Sequence, residues 1–383
     1  MTAAMTATTT TAVPFAVPSF TGAAREAALR VLDSGWITTG AECGAFEAEL
    51  AAYLGQPYVV AVASCTQAIE LSLRALRPAP GAPVLTPSLT FCGAVAAIVH
   101  AGCRPVLVDV DEDTLVPSPA TVAAAVRRAG KPAAMVVCPL GGYPADHAAL
   151  ADAAGLPVGR IVVDAAHGPG GAVGRADDPS RAPYATCLSF YATKNLPIGE
   201  GGAIATHDGD LAAWLRSARL HGMTRDAWRR YLPGGSWRYD VAELGFKANL
   251  TDLQAAIGRA QLAALPGWQR RRAELAARYD AALAPLVRLP RRDPGHAWHL
   301  YQVRVRERDA VIAGLSEVGI GTSVHFIPVH RLTGFAALFG PDERAALPVT
   351  DRVGAQLLSL PLYPDLTPDA VDVVTGRLAE LLA

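Results

Sequence analysis

Short apolar runs alternate with amphipathic segments through the first two thirds of the chain, as expected of strands followed by helices. This alternation favours an α/β fold in which a mainly parallel sheet carries helices on both faces. Strands are predicted at residues 58–63, 84–86, 104–110, 133–139, 160–163 and 203–206, and helices at 22–33, 46–54, 68–76, 92–100, 121–129, 146–154 and 211–220.

The pattern changes after residue 250. A long helical region over 253–283 is predicted to be interrupted near Pro266, and within it Glu274 and Arg278 are spaced to pair across one turn. A smaller α+β part follows, with strands at 300–305 and near 322–326 and helices at 310–318 and 368–382. We therefore divide the chain into a disordered tail (1–12), a large domain (13–250), and a linking helix with a small C-terminal domain (251–383).

Composition argues against several classes of function. The formal net charge is -1, so no broad basic surface is expected for nucleic acid or an anionic membrane. No apolar run is long enough to span a bilayer. The six cysteines are scattered without a C-x-x-C pair, and the nine histidines lack metal-ligand spacing. These features predict a cytoplasmic protein with free thiols and no metal site.

Lys194 lies between an apolar, strand-like run and a glycine-rich turn, in a segment that extends from Thr186 to Gly202. A lysine held there by rigid backbone is partly desolvated, which favours its neutral, nucleophilic amine. Such an amine suits a Schiff base with the aldehyde cofactor pyridoxal 5'-phosphate, whose phosphate Ser189 can bind. Taken alone, the segment favours a solvated loop lysine, but the other strand ends reverse this preference.

Three of those strand ends carry the other groups that the cofactor needs. The polar turn 64–67 precedes a helix, so Ser64, Thr66 and Gln67 can cradle a phosphate; capping of the helix by Thr66 explains the turn equally well. Phe91 can stack on a flat ring or pack in the core. Residues Asp164 and His167 can hold the ring nitrogen and contact the ring, or can be a strand-end cap and a core histidine. Their joint occurrence in this order favours the cofactor site.

Three other features do not favour a specific site. The glycines of residues 168–174 resemble a dinucleotide fingerprint, but they do not directly follow a strand and Pro169 interrupts them. The acidic residues 109–113 are interpreted as turn chemistry and not as a metal site. Trp36 is equally consistent with packing at the edge of the core and with contact to a substrate.

Several motifs occur in one order along the chain: Ser34-Gly-Trp-Ile-Thr-Thr-Gly40, Ser64-Cys-Thr-Gln67, Pro87-Ser-Leu-Thr-Phe91, Val163-Asp-Ala-Ala-His167, Leu188-Ser-Phe-Tyr-Ala-Thr-Lys194, Gly199-Glu-Gly-Gly202 and Gly245-Phe-Lys-Ala-Asn-Leu-Thr-Asp252. With these motifs the chain resembles the DegT/StrS-type nucleotide-sugar aminotransferases, from about residue 13 to the C-terminus. The resemblance implies a fold-type I pyridoxal phosphate enzyme, with a large domain built on a mainly parallel seven-stranded sheet and a smaller α+β C-terminal domain.

The resemblance also implies roles for individual residues. Lys194 is the Schiff-base lysine and proton shuttle, Asp164 pairs with the pyridine nitrogen, and Phe91 stacks on the ring with His167 close by. The phosphate is held by Ser64, Thr66, Gln67 and Ser189. In this turn Ser-Cys-Thr-Gln replaces the Ser-Gly-Thr-Ala that is usual in the family.

A homodimer with shared active sites is implied as well, because the family completes the phosphate site with a residue of the partner subunit. In this chain Lys247 and Asn249 are the two candidates for that residue. On the substrate side the resemblance points to Trp36, Thr38, Tyr191, His325 and His330. For the two histidines, packing at the domain interface is an equally good explanation.

The expected activity is transfer of an amino group from an amino acid, L-glutamate for preference, to a keto group of a nucleotide-linked deoxysugar in amino-sugar and antibiotic biosynthesis. The Gly-x-Lys-x-Asn form of residues 245–249 favours the C4 position. A cyclitol or another natural-product ketone remains an alternative substrate. A related sugar dehydratase is disfavoured because that class carries histidine in place of Lys194, and a non-catalytic regulator is disfavoured because the site is intact.

Overall fold

The computed structural model describes residues 12–172, 179–223 and 239–383. In these ranges one large sheet contains the strands β1 (Tyr58–Val62), β2 (Pro83–Pro87), β3 (Arg104–Val108), β4 (Ala134–Val137), β5 (Ile161–Asp164), β6 (Ala185–Ser189) and β7 (Gly202–Thr206). Their spatial order is β1-β7-β6-β5-β4-β2-β3. Only β7 runs antiparallel to its neighbours, so the mainly parallel sheet predicted from the sequence is confirmed.

Helices cover both faces of this sheet because its strands are apolar on both sides. In β1, Val59 and Ala61 pack into one core while Val60 and Val62 pack into the other. The helices before and between the strands are α1 (Gly22–Asp33), α2 (Ala41–Leu54), α3 (Cys65–Ala75), α4 (Cys92–His100), α5 (Pro119–Ala129), α6 (His147–Ala154) and α7 (Gly209–Ala218). Helices α2, α5 and α6 lie on one face, and α3, α4 and α7 on the other.

A second, smaller core follows the long helix α8 (Asp252–Leu283). The first half of α8 contributes Leu262 and Leu265 to the core on the α2 face of the large sheet, which we call the large core. Its second half contributes Leu275 and Tyr279 to the smaller core. The remaining elements are β8 (Tyr301–Arg304), α9 (Arg308–Ser316), α10 (Thr333–Ala336), α11 (Pro341–Ala345), α12 (Pro348–Gln356), β9 (Leu357–Leu360) and α13 (Pro368–Leu382). Strands β8 and β9 form a two-stranded antiparallel sheet.

The start of the described chain packs on the smaller core and not on the large sheet. Val13 forms a β-bridge with Ile320 and is buried among the residues of that core. The predicted large domain begins at residue 13, so this contact joins it to the predicted C-terminal domain. The predicted disordered tail lies outside the described residues, apart from Ala12.

Helix α8 runs through Pro266 without the predicted interruption. A proline inside a helix loses one backbone hydrogen bond and costs about 3 kcal/mol. Leu262 and Leu265 are almost completely buried beside it. Burial of each contributes roughly 1.5–3 kcal/mol, which is enough to offset the proline.

Two further expectations for the C-terminal part are wrong, and several of its elements were not predicted. Residues 322–326 form only a single bridge, Ser323 to Ser359, so the predicted strand is absent from this described segment. Glu274 and Arg278 do not pair with each other. Arg278 instead donates to Asp372 of α13 at 2.7 Å, because α13 packs against this face of α8. Strand β9 and helices α10 to α12 were not predicted.

No helix in the described part of the chain combines the length and the apolar character that a membrane crossing requires.

Asp252 connects the start of α8 to the start of α2. Its buried carboxylate accepts hydrogen bonds from the backbone N–H groups of Gly40 (2.7 Å), Cys43 (3.0 Å) and Glu42 (3.2 Å). Gly40 is the N-cap of α2 and has no side chain to cap it. A carboxylate from a residue more than 200 positions away therefore caps α2, and the dipoles of two helices favour its negative charge.

Replacing Asp252 by alanine should leave these buried N–H groups without acceptors. We expect Asp252→Ala to lower the free energy of unfolding by about 2 kcal/mol or more, measured by urea denaturation. Asp369→Ala is the matched control, because Asp369 lies exposed in the first turn of α13. Equal losses in the two variants would contradict the assigned role of Asp252.

Candidate active site

The carboxyl ends of the parallel strands open into a cavity of about 480 Å³, which also contacts the smaller core through residues of β9. This volume lies in the range of small-molecule sites. The cavity collects most of the residues that the sequence singled out from separate strand ends. Those that line it are Ser64, Thr66, Phe91, Asp164, His167, Ser189, Tyr191, Lys194 and His325.

One end of the cavity is suited to a phosphate. Ser64 caps α3 by accepting from the backbone N–H of Gln67 at 3.2 Å, so the cap is Ser64 and not Thr66. Ser64 and Thr66 line the cavity at the N-terminus of α3, and Ser189 lines it at the end of β6, where it pairs with Gly202. Hydroxyl groups and free N–H groups at a helix start are the donors that bind phosphate.

Gly202 allows this end of the cavity to form. A Cβ atom at Gly202 would lie 2.5 Å from the carbonyl carbon of Ser64 and 2.7 Å from the nitrogen of Cys65. Only glycine therefore lets β7 approach the turn so closely. Gln67 does not line the cavity, and its side-chain Oε1 is buried without a hydrogen-bond partner. A role for Gln67 at the phosphate stays a prediction.

Asp164 ends β5 at the floor of the cavity and is almost completely buried. Its Oδ1 accepts from the backbone N–H of Ala166 at 3.2 Å and from the thiol of Cys65 at 3.4 Å. Burial raises the pKa of Asp164, and these hydrogen bonds oppose the shift. A buried carboxylate of this kind is stabilised by a cation placed against it, such as a protonated ring nitrogen.

Lys194 occupies a turn after β6, where its backbone N–H donates to the carbonyl of Tyr191 at 2.9 Å. Its side chain lines the cavity, and removal from water lowers the pKa of its amine, while the nearby carboxylate of Asp164 opposes the change. The lowered pKa makes the nucleophilic form more accessible near neutral pH. This environment confirms the desolvated setting expected from the sequence.

A hydrogen bond to His167 determines which of its two ring nitrogens carries the proton. Its Nδ1 accepts from the backbone N–H of Gly141 at 3.1 Å, so the ring proton resides on Nε2. Burial lowers the pKa of His167 well below its usual value. The ring packs against those of His299 and Phe326, with centroids 4.5 Å and 5.9 Å away.

Aromatic side chains surround the opening of the cavity. Phe91 is 55% exposed although it is apolar, and its ring lies 5.8 Å from that of Phe326. Phe15 stacks on His325 at 5.4 Å between centroids, and burial lowers the pKa of His325 to about 4. An exposed phenylalanine beside a cavity is typical of a position that a flat ligand covers.

The lining residues that were not predicted include Phe15, Cys65, Cys138, His299 and Phe326. Cys65 stood in a motif that already departs from the family pattern, so that departure was an available signal. His299 lies two residues before β8, and Phe15 belongs to the N-terminal arm, which we define as residues 13–20 before α1. No local pattern links either of these segments to a strand end of the large sheet.

Several predicted site residues lie outside the cavity. Trp36 packs over Gly40, and its indole N–H donates to the carbonyl of Thr39 at 3.3 Å. Thr38 is exposed nearby. Their roles toward a substrate stay predictions, because no wall of this cavity contains them.

The predicted substrate contact of His330 is not supported. The ring is 1% exposed, with Nδ1 at 2.7 Å from the hydroxyl of Ser88 and Nε2 at 2.9 Å from a carboxylate oxygen of Asp351. Both ring nitrogens thus have partners inside the protein. The alternative interpretation, packing between parts of the chain, describes His330.

The two candidates for a contact with a partner subunit differ in their surroundings. The amide of Asn249 donates to the hydroxyl of Thr39 at 2.6 Å. Lys247 is exposed, and its side chain has no partner in the part of the chain that the structure describes. Within the described ranges, contact with another molecule would therefore cost Asn249 a hydrogen bond and would cost Lys247 none.

No group of three or more histidine, cysteine or acidic residues is placed to hold a metal ion within the described residues. The glycines within 168–172 lie in turns, and residues 173–178 lie outside the described residues. A dinucleotide-binding turn would require a helix start at this point.

Comparison with known proteins agrees with this geometry. The family model of the DegT/DnrJ/EryC1/StrS aminotransferases matches residues 19–379. The spore coat polysaccharide biosynthesis protein SpsC of Bacillus subtilis is 39% identical over 386 residues, with 97% of each chain covered.

Solved structures show the same fold. Spr1654 from Streptococcus pneumoniae in its PMP-form superposes with a TM-score of 0.87 at 28% identity, covering 96% of this chain and 98% of that one. The sugar aminotransferase CalS13 from Micromonospora echinospora gives a TM-score of 0.81 at 29% identity, covering 96% and 99%. The chain belongs to the DegT/DnrJ/EryC1/StrS aminotransferase family and is a pyridoxal phosphate-dependent sugar aminotransferase of fold type I.

Proposed function

We propose that this enzyme transfers the amino group of L-glutamate to the C4 keto group of a nucleotide-linked deoxysugar. The observation that carries the proposal is the placement of Lys194 and Asp164 in one cavity with a phosphate-binding end. The C4 position rests on the form of residues 245–249, and the nucleotide on the family resemblance. The free, mostly buried cysteines favour the cytoplasm as the place of action.

The residues present fit pyridoxal phosphate. Ser64, Thr66 and Ser189 would hold its phosphate, and Asp164 would lie against its ring nitrogen. Phe91 would cover one face of the ring. When bound, the cofactor supplies an aldehyde that exchanges an amino group and a ring that accepts electron density.

Each residue has a task that its surroundings explain. Lys194 would hold the cofactor through its amine, and a lowered pKa suits that amine to accept and donate a proton at Nζ. Asp164 keeps its charge when a cation lies against it. His167, fixed as a neutral ring, presents its Nε2–H as a hydrogen-bond donor.

The two alternatives differ at identifiable points. A sugar dehydratase of this family carries histidine in place of Lys194, so the lysine favours transamination. A cyclitol or another ketone would not need the nucleotide side of the site, where Tyr191 and His325 lie on the cavity wall.

A homodimer with shared sites is part of the proposal. Lys194 is the one lysine or arginine among the described residues that line the cavity, and Asp164 and Glu200 are anionic there. A phosphate dianion at the α3 end therefore lacks a cation from its own subunit in the described ranges. We infer that Lys247 of a second copy supplies it, because this amine is exposed and has no partner among the residues that the structure describes.

Trapping the cofactor by borohydride reduction identifies the lysine that holds it. The chain has three lysines, Lys131, Lys194 and Lys247, which peptide mass spectrometry separates. We expect the reduced cofactor on Lys194 alone, and no trapping in Lys194→Ala. Lys131→Ala is the matched control and should be labelled like the wild type. Label on another lysine, or none at saturating cofactor, would contradict the assignment.

The substrate is tested with a panel of 4-keto and 3-keto sugar nucleotides and a free keto-cyclitol, each with L-glutamate or L-glutamine. The amino product is read by mass spectrometry, and 2-oxoglutarate by an enzymatic assay. We expect the 4-keto sugar nucleotide with glutamate to be preferred, with the two products in equal amounts. A dehydrated sugar formed without 2-oxoglutarate would indicate the dehydratase instead.

Subunit mixing tests the shared site. Lys194→Ala and Lys247→Ala should each be inactive alone, whereas an equal mixture should recover about one quarter of wild-type activity. Half of the dimers are then mixed, and each mixed dimer holds one intact site. Replacing Lys247→Ala by Asn249→Ala in the mixture identifies the residue that crosses. If heterodimers form, as judged by two affinity tags, and no activity returns, each subunit builds its own pocket.

A further inference from the structure

Asn195, the residue after Lys194, has an amide orientation that its partners determine. It is buried, and its Nδ2 lies 2.9 Å from the carbonyl oxygen of Pro169 and 2.8 Å from that of Ala297. A carbonyl oxygen can only accept a hydrogen bond, so the amide nitrogen must face these two groups. The amide oxygen of Asn195 is consequently directed toward His299.

This amide oxygen determines the tautomer of His299. Nδ1 of His299 lies 3.1 Å from Oδ1 of Asn195, and an amide oxygen accepts only, so Nδ1 carries the proton. Burial lowers the pKa of His299 well below its usual value, which keeps the ring neutral. The other ring nitrogen, Nε2, therefore presents a lone pair, and it lies 3.5 Å from Nζ of Lys194.

We propose that His299 is a positioning residue for Lys194, holding its free amine through Nε2 in a tautomer that Asn195 fixes. The inference rests on the proposed role of Lys194. A neutral amine has two N–H bonds and one lone pair, so donation of one N–H to His299 restricts where the lone pair points. The distance of 3.5 Å lies at the long end of the range for a hydrogen bond.

The surroundings of His299 make it an acceptor and not a second base. Its charged and titratable neighbours include Lys194, His167, Arg272 and His325. Arg272, and Lys194 when its amine is protonated, lower the pKa of the imidazole in the same direction as burial. When the pair holds one proton, that proton therefore stays on the lysine and not on Nε2.

The test measures Lys194 in the apoenzyme. The rate of acetylation by acetic anhydride is followed against pH on the Lys194 peptide, with the exposed Lys131 as internal reference. His299→Leu removes the acceptor. His299→Gln restores an acceptor near the position of Nε2. Asn195→Ala keeps His299 but removes the amide oxygen that holds the ring proton on Nδ1.

An acceptor stabilises the ammonium form of Lys194, so its loss should lower the pKa of the amine further. We expect the pH midpoint of Lys194 acetylation to be lower in His299→Leu than in the wild type. In His299→Gln the midpoint should return toward the wild-type value, and in Asn195→Ala it should shift as it does in His299→Leu. In the holoenzyme, kcat should fall about tenfold or more in His299→Leu with KM for glutamate changed less than about twofold.

Thermal unfolding separates a folding defect from a local effect. If His299→Leu is unstable, the inference is tested by comparing the pH midpoints of Lys194 acetylation in the wild type, His299→Gln and Asn195→Ala. Equal midpoints in the wild type and Asn195→Ala overturn the inference, because a merely structural histidine predicts no change in Lys194. Failure of borohydride to label Lys194 in the wild type is a different result and overturns the proposed function.

Discussion

The exclusion of water from Asp164 and Lys194 is the physical constraint on which the active site depends. Desolvation raises the pKa of the carboxyl and lowers that of the amine, so each group is moved toward its neutral form. A cation beside Asp164 would offset the desolvation cost of its carboxylate. The neutral amine of Lys194 is suited to attack a carbonyl carbon. The same exclusion of water therefore makes this cavity unfavourable for isolated charges and receptive to a ligand that brings a cation and an aldehyde.

The fold supplies this environment by bringing distant segments to one edge of a sheet. Parallel strands end together, so β5 and β6 place Asp164 and the turn of Lys194 side by side. Helix α8 then ties the large core to the smaller one through apolar residues along its length. The segment that precedes β8 thereby brings His299 to the back of Lys194, where Asn195 fixes its orientation.

Much of this site could be predicted from the sequence because the predicted residues share one geometric property. Asp164, Ser189 and Lys194 each follow an apolar run, and the ends of parallel strands meet. His299 and Phe15 reach the cavity through tertiary packing between segments far apart in the chain, which no local period encodes. His330 was ambiguous for the same reason, since Ser88 and Asp351 become its partners only in the fold.

The errors in secondary structure also have physical causes. Helices α11 and α12 begin at Pro341 and Pro348, in the first helical position where proline is favourable, whereas the sequence pattern treats proline as a breaker. Pro266 is the opposite case, where burial of neighbouring leucines carries the helix through it. In each instance the position of the proline in its element, and not its presence, determines the effect.

The N-terminal arm has a consequence for how the pocket is completed during synthesis. Val13 pairs with Ile320, and Phe15 stacks on His325. The first part of the described chain to leave the ribosome therefore reaches these partners only after residues 320–325 have been synthesised. The large sheet has all its strands once residue 206 has emerged, but the wall of the cavity formed by Phe15 cannot close until more than 300 further residues follow Phe15. The wall of the cavity is thus completed after the turn at residues 64–67 and the strand ends are already in place.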